Sequence, residues 1–246
     1  MTESVSESAA PAPAEKASFW EDFIDIFYAP SAVLRRRADA NPWPAMLVVA
    51  IATGLIMFFA APAVEPALQA DFMRALPAMQ RQNPNITPEM VDKMKGATTI
   101  GMRYGSAIFT LLAVALVGLM TWLVGKLVDS KEGYGQATLV AAYAYVPRVL
   151  GGLVLLVETL VSDVSNARGM ASLTFSAARF ANPDTTSPVV MQLLLHVEVF
   201  TIWETVILAI GVAVLGKTSR GQAIAAGILF WIVGAIPAVL QGLRAG

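Results

Sequence analysis

Five stretches of this chain are apolar enough to cross a bilayer as helices. They cover residues 44–64, 104–125, 133–157, 189–216 and 221–242. The bilayer's hydrocarbon core is about 30 Å thick, so a spanning helix needs roughly 20 apolar residues at 1.5 Å of rise each. Three of the runs carry no charge. The run 133–157 is interrupted only by Arg148, and 189–216 contains His196, Glu198 and Glu204. Spanning β-strands would instead give stretches of about ten residues with alternating polarity, and none occur. The pattern predicts an all-α fold, a polytopic membrane helical bundle with five transmembrane helices over residues 44–242.

The polar intervals add detail. Residues 1–18 are rich in Ala, Pro, Ser and Glu and read as a disordered N-terminal tail without the apolar region of a signal peptide. Residues 19–43 read as an amphipathic elbow in the membrane interface. There Phe19, Trp20, Phe23, Ile24, Ile26, Phe27 and Tyr28 alternate with Glu21, Asp22 and Asp25, and Pro30 starts a second short turn that leads into Arg35, Arg36 and Arg37. The long connection 65–103 carries helical signals. Leu68, Phe72, Leu76 and Met79 fall on one helix face, and Thr87 can cap a helix that starts at Pro88. Met73, Met79, Met90 and Met94 would suit a soft copper(I) ion. With no His or Cys nearby, they read instead as filler of apolar faces. The second long connection, 158–188, reads as an ordinary connector.

Composition narrows the class. Of 246 residues, 56% are hydrophobic and 14% charged, with a mean hydropathy of +0.62. Soluble domains carry about 25% charged residues, so lipid must be a partner of this chain. A net charge of −1 supplies no basic surface for nucleic acid. The absence of Cys excludes disulfides and thiolate sites. Lys and Arg are denser in the short connections around Lys126 and Lys217 than in the long ones, and they cluster before the first span. The positive-inside rule then puts the N-terminus in the cytoplasm and the C-terminus outside, in a cell inner membrane.

Ionisable groups within the spans are the candidate chemistry, because a charge at the bilayer centre costs at least about 2.5–3.5 kcal/mol. Arg148 and Glu204 lie near the midpoints of the third and fourth spans, so antiparallel packing would pair them. Pro147 marks a helix kink that frees a backbone carbonyl as a second acceptor for the guanidinium. Glu158, His196 and Glu198 form a second group nearer the outer edge. His196 with Glu158 could relay a proton, or the imidazole could simply be satisfied by its neighbours. His196 and Glu198 are two apart and point to different sides of a helix, so a shared metal is not expected. The Arg148–Glu204 pair reads as a structural clasp or, alternatively, as part of a transport path. Small residues at Gly101 and Gly105, at Gly221 and Ala225, and at Ala137, Ala141 and Ala144 offer close helix packing within one chain or in a homo-oligomer.

Three segments together carry a family likeness. FWEDFIDIFYAPSAVLRRR, GYGQATLVAAYAYVPRVLGG and IWETVILAIGVAVLGKTSRGQA resemble, in order and spacing, the conserved parts of the Yip1 family. The resemblance implies a five-span bundle with a cytoplasmic N-terminus. Eukaryotic members act in vesicle trafficking and contact Rab-type GTPases. The DLYGP motif of many of them is absent here and the region before the first span is short, so the chain looks more like the bacterial branch. No P-loop, GxSxG or HExxH is present. The expected role is therefore non-enzymatic and free of cofactors. It is membrane organisation or the binding of an unidentified membrane or cytoplasmic protein, with a small transporter or channel component as the alternative.

Overall fold

The computed structural model describes residues 18–245, so nearly all of the expected tail lies outside the described residues. Two short helices open the fold, α1 (Asp22–Asp25) and α2 (Pro30–Arg36). A pair of long helices follows, α3 (Trp43–Gln82) and α4 (Pro88–Leu127). Then come α5 (Tyr134–Ala144), α6 (Val146–Val161), α7 (Pro188–His196), α8 (Val199–Val214) and α9 (Arg220–Ala245). No strand forms among the described residues. Four helical segments are long and apolar enough to cross a membrane: α3, α4, the α5–α6 pair and α9.

The connection 65–103 is not a loop. The periodic face of Leu68, Phe72, Leu76 and Met79 continues α3 without interruption, through Pro62, Pro66 and Pro77. As expected, Thr87 caps α4, its hydroxyl accepting the Met90 N–H at 3.3 Å. Each helix of this antiparallel hairpin has 40 residues. That is about 60 Å of rise, twice the hydrocarbon thickness, so the hairpin extends well past the ends of its apolar windows. Hydropathy marks where a helix meets lipid. It does not mark where the helix stops.

The fourth expected span, 189–216, is not one helix. It divides at Val197 and Glu198 into α7 and α8. Glu198 takes extended backbone and its carboxylate caps α8, accepting from the Phe200 and Thr201 N–H groups at 3.0 and 2.7 Å. The freed backbone is satisfied by the connector. Ala177 N donates to Val197 O at 2.9 Å and Val199 N donates to Phe175 O at 3.2 Å. Thus the segment between α6 and α7 is not a plain connector. It turns through two 3₁₀ segments, Met170–Leu173 and Ala177–Phe180, and folds back to the helix break. α7 and α8 both pack on α9: Val189 closes on Gly242, His196 on Gly234, and Ala209 on Gly227.

The third span also divides, at Tyr145. Pro147 is in the first turn of α6, and Arg148 and Val149 both donate to the Tyr145 carbonyl, at 3.0 and 3.3 Å. The kink expected at Pro147 is thus a helix boundary two residues earlier. The core gathers Val114, Leu139, Tyr143, Ile207 and Phe230, together with Ile26, Val33 and Leu34 from the elbow. Ala137, Ala141 and Ala144 are fully buried. The closest helix approaches lie elsewhere than at Gly101 and Gly221, both of which face open space. A Cβ on Gly118 would stand 2.8 Å from the Thr138 Cα, and one on Gly211 would stand 2.2 Å from Val140.

Candidate functional site

The elbow is docked on the bundle. Asp22 is fully buried and is the centre of its attachment. One carboxylate oxygen takes the Arg36 Nε–H at 2.5 Å, and the other takes the Arg37 Nε–H at 2.5 Å and the Tyr143 hydroxyl at 3.2 Å. A buried carboxylate is tolerated only when paired and hydrogen-bonded, and these three donors meet that demand. Phe23 lies against the Tyr143 ring at 5.6 Å and Phe27 meets Trp203 edge-on at 5.0 Å. Asp25 accepts from Tyr28 and Arg36. The Tyr28 hydroxyl and the Arg36 charge together hold the Asp25 carboxyl below its ordinary range.

The opposite side of the elbow is apolar and open. Trp20, Ile24 and Tyr28 are 65%, 66% and 71% exposed, spaced by four along the chain. The Ala38 carbonyl meets the Gln136 side chain at 3.1 Å in the first turn of α5, whereas Asp22 meets Tyr143. Seven residues of helix separate those two levels, about 10 Å of rise. The elbow therefore runs along the bundle wall, and Asp22 meets α5 about two turns further along than Ala38 does.

Sequence reasoning passed over Asp22 and Tyr143. It took the Arg triplet as a marker of orientation and the acids as the polar side of an amphipathic segment. The usable signal was an acid within an aromatic run, followed by adjacent arginines 14 and 15 residues later.

Within the bundle, Arg148 and Glu204 form an ion pair through the Arg148 Nε. The second partner of the guanidinium is the Tyr145 ring, 5.9 Å from its centre, not the expected backbone carbonyl. Glu204 is nearly enclosed, its side chain 7% exposed, while that of Arg148 is 40% exposed. Arg148 opens on a cavity of about 370 Å³ that Thr53, Tyr145, Glu198 and Thr201 also line. Glu198 thus serves two structural ends, closing the α8 N-terminus and presenting acidic oxygen to the same cavity.

Glu158 and His196 are not brought together. Glu158 accepts from Arg179 at 2.6 Å. His196 Nε2 lies 3.1 Å from the Trp231 carbonyl, and its ring packs 4.4 Å from that of Trp231. A carbonyl can only accept, so Nε2 carries the proton. No contact among the described residues joins Glu158 to His196, because each is engaged by a different element.

A family profile for the Yip1 domain matches residues 24–240, from the elbow to the last turns of α9. The chain belongs to the Yip1 domain family. Neither the curated proteins nor the solved structures compared with it gave a match. Membership agrees with the long apolar helices, and this Yip1 chain is a multi-pass membrane protein. The matched region includes Arg148, Glu204 and the discontinuous α7–α8 segment, and it excludes Asp22.

Proposed function

We propose that this Yip1-domain chain is a non-enzymatic membrane-organising protein whose docked elbow occupies part of one leaflet beside the bundle. The carrying observation is the outward stripe of Trp20, Ile24 and Tyr28 on a segment clamped through Asp22. A rigid apolar segment that fills one leaflet but not the other expands that leaflet and favours curvature. The proposed membrane is the cell inner membrane, with the N-terminus and the elbow on the cytoplasmic side. The same stripe is also where a membrane protein partner or a second copy would dock. In this reading α7 and α8 together make a fifth, discontinuous crossing. Their consecutive packing along the 26-residue α9 supports it.

Vesicle morphology tests the proposal. The protein reconstituted at rising protein-to-lipid ratio should reduce vesicle diameter or draw tubules. The variant Trp20→Ser, Ile24→Ser, Tyr28→Ser should lose this effect while remaining folded. Equal morphology from both proteins would remove the proposal.

A small transporter or channel component is the second reading, favoured by the helix broken at Glu198 beside the Arg148 cavity. Discontinuous membrane helices commonly border substrate and ion sites. Solute or ion flux through proteoliposomes that disappears on Arg148→Ala would put this reading first.

A further inference from the structure

Two turns lock together at one end of the bundle, where α4 passes to α5 and α8 passes to α9. Lys131 N donates to the Gly216 carbonyl at 3.0 Å. Asp129 and Lys217 take left-handed backbone, with φ of 59° and 54°, and so reverse the chain tightly. Glu132 is enclosed between the turns at 2% exposure. Both of its carboxylate oxygens, and the hydroxyl of the 5%-exposed Ser130, are buried without a hydrogen-bond partner.

Two glycines make the slot. A Cβ on Gly125 would stand 2.2 Å from Glu132 Oε1. One on Gly216 would stand 1.7 Å from Ser130 Oγ, 2.2 Å from Glu132 Oε2 and 2.4 Å from the Val212 carbonyl oxygen. The three oxygens therefore lie close to one another around the Gly216 Cα, and any side chain at Gly216 would collide with them. The surroundings disfavour a bare anion. α4 and α8 both end here, and helix C-termini carry partial negative charge. Lys126 is the charged neighbour that acts on Glu132, but its Nζ donates to the Ser130 and Glu132 backbone carbonyls, each at 3.3 Å. Asp129, Lys131 and Lys217 are exposed. Burial pushes the Glu132 carboxyl up, against the nearby Lys126 charge.

We propose that the Glu132 carboxylate, the Ser130 hydroxyl and the Val212 carbonyl form a binding site for one small monovalent cation, a proton or Na⁺. Hard oxygen donors suit either occupant, and either one neutralises the carboxylate where the two turns meet. Occupancy stabilises the folded bundle by mass action. The sign follows from the raised acid. With a proton as occupant, this stability is complete below the ordinary carboxyl range and is lost as pH rises through the raised value.

Thermal unfolding of the full chain in micelles tests the site, in NaCl or N-methylglucamine chloride of equal ionic strength, at about pH 5.5 and about pH 8. With Na⁺ as occupant, NaCl raises the wild-type midpoint by a few degrees at the higher pH and less at the lower. With a proton only, acid raises the midpoint and Na⁺ has no effect. In both cases Glu132→Gln, neutral and of the same shape, folds and removes the dependence. A Glu132→Gln protein that fails to fold, or that keeps the wild-type response to pH and Na⁺, overturns the proposal.

Discussion

Tyr143 donates its hydroxyl to Asp22 across 121 positions of the chain, at 3.2 Å, and so joins the N-terminal elbow to the interior of the third span. Asp22 also receives Arg36 and Arg37, so one buried carboxylate fixes the angle at which the elbow leaves the bundle. Asp22→Asn should lower stability by about 3–5 kcal/mol, the cost of breaking a buried pair from one side. Tyr143→Phe should cost less, about 1.5–3 kcal/mol for a hydrogen bond to a charged group. Equilibrium unfolding of the two variants in micelles checks both the direction and the order.

The Arg148–Glu204 pair calls for a double-mutant cycle. Arg148→Met or Glu204→Gln alone leaves one charge without its partner, whereas the double variant leaves none. The coupling should be about 0.5–3 kcal/mol in favour of the pair. Losses that add without coupling would separate the two residues energetically.

Acid should loosen the contacts within the elbow that Asp25 makes to Tyr28 and Arg36. The Tyr28 hydroxyl, then Arg36, hold Asp25 below its ordinary value of 3.8. A depressed acid contributes stability that is present above its unfolded value and is lost as pH falls through the folded one. Fluorescence of Trp20, in a protein whose other tryptophans are replaced by Phe, should report this rearrangement within the elbow in that acid range. Asp25→Asn should abolish the transition.

Glycines of the same bundle should differ in tolerance. At Gly118 a new Cβ meets the Thr138 backbone, which cannot step aside, so Gly118→Ala should cost about 1–3 kcal/mol. Gly101 faces open space, and Gly101→Ala should gain up to about 1 kcal/mol from helix propensity. Thermal midpoints of the two variants should move in opposite directions.

These contrasts separate what was legible in the sequence from what was not. Hydropathy found the apolar windows, and Thr87–Pro88 announced the start of α4. Matching depth was enough to propose Arg148 with Glu204. The helix break at Glu198 was hidden because Val197 and Val199 are as apolar as a continuous span requires. It depends on a carboxylate cap, on the Phe175 carbonyl that accepts from Val199 and on the Ala177 N–H that donates to Val197, both about twenty residues away in sequence. Asp22 and Glu132 were hidden for another reason. Asp22 belongs to the polar side of an amphipathic run and Glu132 to a charged turn, where an acid is expected in water, and only tertiary packing encloses them.

Vesicle diameter against protein-to-lipid ratio tests the central claim most directly. Wild-type protein should shrink or tubulate vesicles, and the folded Trp20→Ser, Ile24→Ser, Tyr28→Ser variant should leave them at the size of protein-free controls. Wild-type vesicles that match the controls at every ratio would contradict it.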